Sequence, residues 1–152
     1  MAQTSDSNYI QIITYIKRNP ALTPAEFYHH WEHVHAPIVA PWADKHGVKR
    51  YEQIHVSGSM VPSAATASAP NAVSDAELPN EPVPFDGIAL FLVPDLEKFM
   101  EAFKDPYFVE VIGPDEQKLI DKKGVGSGIL ASHNGRMVPV VDEDRNPKQE
   151  GG

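Results

Sequence analysis

The run from Phe85 to Val93, FDGIALFLV, constrains this chain most. A strand with one wet face alternates apolar and polar residues; a nearly continuous apolar run belongs to a strand covered on both faces. Pro94-Asp95 stops it. A second β-branched and aromatic run, YIQIITYI from Tyr9 to Ile16, is closed by Asn19-Pro20 and also reads as a strand. These strands open two similar halves about 76 residues apart, each followed by a helical pattern and a further strand. The order strand, helix, strand, long loop, strand, helix, strand predicts an α+β, ferredoxin-like βαββαβ fold. Helices cover one face of such a sheet. The other is expected to carry Tyr9, Gln11, Tyr15, Tyr51 and His55 or their alternates, so a second copy is its natural cover and a homodimeric α+β barrel is predicted.

The intervening elements have readable boundaries. Thr23-Pro24-Ala25-Glu26 combines an N-cap hydroxyl, a proline at the first helical position and a Glu able to reach back to the cap. The helix that follows has Phe27, Trp31, Val34 and Ile38 as its predicted apolar stripe, with a break or bend at Pro37 and a second piece from Pro37 to His46 ending at Gly47. Val48 to Val56 is strand-like, with Lys49, Tyr51, Gln53 and His55 on one face. Of the 28 positions from 57 to 84, 16 are Ala, Ser or Pro and none is basic, which predicts a long loop inside one domain spanning 1–140. Asp95 caps a helix bearing Leu96, Phe99, Met100 and Phe103; another helical piece covers Pro114 to Lys122 and a last strand Ile129 to Met137. Residues 141–152 form a charged tail.

Composition removes whole classes of chemistry. With 13 basic residues scattered against 21 acidic ones and a net charge of −8, nothing resembles the clustered Lys and Arg of a nucleic-acid binder. Zero cysteines exclude a disulfide, a thiolate nucleophile and Cys-held metals, and an intracellular, cytoplasmic protein is the simplest reading. No signal-peptide pattern is visible, and the longest pure apolar run, Ile88 to Val93, is far below the roughly 18 residues of a membrane helix. No G-x-G-x-x-G, Walker or G-x-S-x-G motif appears, so no cofactor is predicted.

Seven histidines remain, four of them between positions 29 and 35. On a wheel of about 100° per residue, His29 and His33 lie opposite the predicted stripe and face solvent, while His30 and His35 flank it. HHWEHVH is not the H-E-x-x-H of zinc hydrolases and lacks a nearby third ligand, so no metal is predicted. Tyr51 and His55 on the second strand, Asp86 at the start of the third and His133 on the last join His35 as candidates for acid–base work, because polar groups at strand ends converge on a cavity mouth. Each also has a structural reading, and Asp86-Gly87 can equally be a bend leading into the strand.

The segment TPAEFYHHWEHVHAPIV, then Arg50-Tyr51 and Phe85-Asp86-Gly87, resembles the EthD family, most specifically through F-x-x-x-W-x-x-x-H-x-P, here Phe27, Trp31, His35 and Pro37. The likeness spans about residues 9–135, and the size and the Ala/Ser/Pro loop are most similar to fungal EthD-domain proteins of aromatic polyketide pathways, which include decarboxylases. The resemblance implies a dimeric α+β barrel, a cavity for a flat polycyclic phenol, and His35 as the motif histidine. Cofactor-free decarboxylation of an aromatic polyketide acid is the resulting expectation: His35 protonates carbon, and Tyr51 or His55 donates to the oxyanion. Trp31, Phe91, Tyr28, Tyr15 and Phe27 are the expected substrate contacts. A cyclase, dehydratase or cofactor-free oxygenase on similar substrates, and a non-catalytic phenol-binding protein, stay open as alternatives.

Overall fold

A computed structural model describes residues 9–62 and 80–141. Four strands, β1 (Ile10–Ile16), β2 (Arg50–Ile54), β5 (Gly87–Val93) and β6 (Ile129–Arg136), form one sheet in the order β2-β5-β1-β6 with every neighbouring pair antiparallel. This is the predicted ferredoxin-like arrangement: the two apolar runs are the central strands, and the mixed sequence around Tyr51 is an edge. The predicted loop is paired at its ends, because β3 (Gly58–Met60) and β4 (Val83–Phe85) form a separate antiparallel ribbon. The middle of that loop, 63–79, and the tail, 142–152, lie outside the described residues.

Alternation assigns the two faces of the sheet. Toward the helices point Ile12, Thr14 and Ile16 of β1, Ala89 and Phe91 of β5, and Tyr51 of β2, which all line one interior space. Tyr51 lies opposite Phe91 across the β2–β5 pair. The outer face therefore carries the alternates, Gln11, Ile13 and Tyr15 with Ile88 and Leu90. Tyr51 and His55 do not share it with Tyr15 as the sequence pattern suggested, because the register of β2 turns its odd-numbered residues inward.

The first helical stretch departs from expectation in an instructive way. Thr23 caps α1 (Pro24–His30) in a full capping box, as predicted. The chain then widens into a π turn, Trp31–His35, and continues without a break into α2 (Ala36–Lys45). Ala36 N–H donates to the carbonyl of Trp31, five residues back. A regular helix would bring the Pro37 ring, which has no N–H, against the carbonyl four residues earlier; the wider turn carries the chain past it. The inserted width also moves the stripe. Phe27, Trp31, His35 and Val39 are buried at a constant spacing of four, whereas Val34 is 40% exposed. On a regular helix that spacing drifts by about 40° per step, and the π turn takes the drift back. His35 therefore sits in the apolar stripe itself. Gly47 ends the segment at φ 77°, the left-handed conformation a glycine accepts most readily.

The second half repeats the device. Asp95 caps α3 (Leu96–Ala102), and a second π turn, Phe108–Ile112, runs into α4 (Gly113–Leu119), with Gly113 N–H donating to Phe108 and Pro114 following at once. Both π turns thus end one residue before an X-Pro pair, Ala36-Pro37 and Gly113-Pro114. The core lies between sheet and helices in two groups, one around Ile12, Trp42, Val93 and Phe99, the other around Ile16, Phe27, Trp31 and Leu119. Each large side chain buried there contributes about 1.5–3 kcal/mol.

Candidate active site

The two π turns bring His35 and Asp115 together. Asp115 lies in the first turn of α4 and is buried, as is His35. Its Oδ2 is 2.7 Å from His35 Nδ1. Its two oxygens also lie 2.9 and 3.0 Å from Nε2 of His30, which is half-buried. A carboxylate oxygen accepts, so His35 Nδ1 and His30 Nε2 are the N–H donors to it, and the neutral form of His35 then has its lone pair on Nε2. A carboxylate at Nδ1 holds the imidazole in one tautomer and stabilises the imidazolium that forms when Nε2 takes a proton.

His35 lines an interior cavity of about 80 Å³ whose wall is mostly apolar, with Trp31, Trp42, Phe91 and Phe99 among its residues. Thr14, Tyr51 and Glu116 bring the other polar side chains to that wall. The Thr14 hydroxyl is 3.2 Å from that of Ser132 on the neighbouring strand. Glu116 accepts from Lys122 Nζ at 3.2 Å. Tyr51 stacks on Phe91 with centroids 4.7 Å apart. Burial pushes its phenol up to about 12, aided by the Glu116 charge and opposed by hydrogen bonds from Gln53 and Trp31. It is a neutral donor across the physiological range. Tyr51 also lines an open groove of about 490 Å³ on the outside, shared with Glu32, Ala36, Gln53 and His55. It is the residue common to both spaces.

Of the sequence candidates, His35, Tyr51, Trp31 and Phe91 line the cavity. The other sequence candidates are elsewhere. His55 belongs to the groove, stacked on Tyr28 at 4.7 Å and on Trp31 at 5.2 Å. Asp86 is not part of the cavity wall; its carboxylate accepts from Arg18 backbone N–H at 2.9 Å and pairs with the Arg18 guanidinium, while its carbonyl accepts from Tyr28 hydroxyl at 2.7 Å. Burial and the Asp86 charge raise the Tyr28 phenol above its ordinary value. Phe27 packs beneath Trp31 and does not reach the cavity. Tyr15 and His133 meet edge-on, and His133, opposite Ile13, extends to the outer face of the sheet. Gly87 has a packing reason: a Cβ there would stand 2.5 Å from the Trp31 ring.

Asp115 escaped the reading of the sequence, as did Gln53 and Glu116. One signal was present: Ile112, Asp115 and Leu119 share a helix face, and a carboxylate between two buried apolar residues calls for a buried partner. Among the described residues no group of three His, Asp or Glu side chains is arranged to hold a metal ion, and no helix is long and apolar enough to cross a membrane.

The family model for the EthD domain matches residues 19–123, so the chain belongs to the EthD family. It is 27% identical over 126 residues to dehydratase AurZ of Gibberella zeae, covering 80% of this chain and 78% of that protein. It is also 27% identical to dehydratase UstZ of Ustilaginoidea virens over 70% of this chain and 71% of that one. To the conidial pigment biosynthesis dehydratase EthD of Metarhizium robertsii it is 27% identical, over 80% of this chain and 84% of that one. Among solved structures, an EthD family protein of Bacillus halodurans aligns at a TM-score of 0.48 and 14% identity, covering 86% of this chain and 99% of the other.

Proposed function

We propose that this protein is a lyase acting on an aromatic polyketide intermediate, and that it eliminates water through an enolate formed by its own acid–base groups. The carrying observation is the histidine of the cavity wall, tied through Nδ1 to a buried carboxylate at 2.7 Å. In a β-hydroxy ketone, His35 Nε2 takes the proton on the carbon between the two functions. The electron pair moves into the carbonyl, and the Tyr51 hydroxyl donates to the oxygen as its charge grows. The enolate then collapses: the carbon–oxygen bond of the β-hydroxyl breaks, His35 imidazolium returns its proton to the leaving oxygen, and water departs as a double bond forms. Proton and electron pair balance within the site.

Dehydration is preferred because three relatives carry that name. Decarboxylation is the second reading, and the apolar wall favours it: a carboxylate loses hydration there, and carbon dioxide leaves behind the same enolate. The cavity of about 80 Å³ is below the roughly 300–1,000 Å³ of typical ligand sites. A polycyclic substrate would keep its reacting ring inside and extend past Tyr51 into the groove. A homodimer covering the half-buried Ile13, Ile88 and Leu90 of the outer sheet face is part of the proposal. Incubation with a β-hydroxy ketone precursor of an aromatic ring, followed by mass spectrometry, tests the reading. Loss of water supports dehydration, loss of carbon dioxide from the corresponding β-keto acid selects the second reading, and a bound but unaltered ligand sinks both.

A further inference from the structure

The hydrogen bonds around Tyr51 fix which way its hydroxyl points. Gln53 side-chain nitrogen lies 2.9 Å from the backbone carbonyl of Trp31. A carbonyl can only accept, so the amide group, and not its oxygen, faces Trp31. The same nitrogen is 3.1 Å from the Tyr51 hydroxyl oxygen, and the amide's two hydrogens serve these two acceptors. Gln53 Oε1 faces the other way and accepts from Nε2 of the exposed His55 at 2.9 Å. That bond survives protonation of His55, since Nε2 carries a hydrogen in either state. Gln53 therefore donates to the phenol oxygen. The phenol's own proton is left for an acceptor in the spaces Tyr51 lines, the cavity among them.

We propose that Gln53 is a positioning residue that makes the Tyr51 hydroxyl a donor into the cavity, so that the site selects a substrate by an acceptor oxygen, a ketone carbonyl or its enolate. The catalytic consequence rests on the enolate chemistry above; the direction of the hydrogen bond does not. A donor prearranged toward developing negative charge needs no reorganisation at the moment of reaction. A phenol free to turn onto the Trp31 carbonyl would lose that advantage.

Gln53→Glu tests this by reversing the partner. The introduced carboxylate accepts from Tyr51 and draws its proton out of the cavity. In protein labelled with ¹³C at tyrosine Cζ, the Tyr51 resonance of the variant is expected to move toward the phenolate position at neutral pH, and to return when acid protonates the new carboxyl. Turnover is expected to fall about 100-fold in kcat with little change in KM, matching Tyr51→Phe, and the double variant should be no slower than Tyr51→Phe alone. Gln53→Met provides a second, uncharged perturbation: Tyr51 then turns onto the vacated Trp31 carbonyl, and its resonance moves the same way by less. An unmoved Tyr51 resonance in either folded variant overturns the proposal. A moved resonance with wild-type turnover upholds the bond direction and overturns the role of Tyr51 in the reaction.

Discussion

Two buried aspartates hold histidines at the same distance and do different things. Asp115 lies 2.7 Å from His35, and Asp105 lies 2.7 Å from His46. Asp105 also pairs with Lys45 at 2.9 Å and accepts from Tyr107 backbone N–H at 2.9 Å, and these partners with His46 hold its carboxyl well below the usual carboxylate range. His46 packs against Trp42 at the end of α2 and is not part of the cavity wall. Asp105 therefore ties the end of α2 to the turn that follows α3. Asp115 has no lysine; its partners are two histidines, one on the cavity wall and one reaching toward solvent. A His–Asp pair on a cavity wall is a candidate for acid–base work, whereas one packed at a helix end serves as a fastening.

That contrast can be broken at several points. The largest effect is expected from His35→Gln, which should cost about 10²–10⁴-fold in turnover while the protein stays folded; His46→Gln should leave turnover per folded molecule unchanged, as read by product formation beside a thermal melt. Next is Gly87→Ala. Its Cβ would stand 2.5 Å from Trp31, so the indole must shift and turnover should fall by up to about 100-fold, checked by kinetics and tryptophan fluorescence.

Asp105→Asn should spare catalysis and lower the melting temperature. Because the folded carboxyl titrates below its unfolded value of about 3.9, its stabilisation is fully present at neutral pH, and the gap between wild type and variant should shrink as pH falls below about 4. Tyr51 carries the opposite sign. With its folded phenol up at about 12 against roughly 10 unfolded, its stabilisation holds below pH 10 and is lost between those values, so Tyr51→Phe should flatten the alkaline fall in melting temperature. The smallest effect belongs to His30→Gln, below about tenfold in turnover, since it touches only the partner of the base.

The strands, their order and the capped helix starts were legible because period, caps and turn residues act locally, as at Thr23, Asp95 and Gly47. His35 was legible through its motif. Its depth was not: a wheel of fixed pitch placed Val34 in the stripe and His35 on a flank, and the π turn reverses them. Ala36-Pro37 and Gly113-Pro114 mark the two π turns, but a proline inside a helical pattern more often signals a break. Asp115 and Gln53 act through partners 80 and 22 residues away, His35 and the Trp31 carbonyl, and no local pattern reports such pairings. Asp86 shows the converse, a residue beside a legible motif whose partner, Arg18, explains it fully.

The central claim is that the Asp115–His35 pair, and not its counterpart, performs the elimination. It is tested most directly by turnover of a β-hydroxy ketone substrate in Asp115→Asn and Asp105→Asn, normalised to folded protein. A loss of about 100-fold or more is expected in the first and wild-type turnover in the second. Equal turnover in the two variants would contradict it.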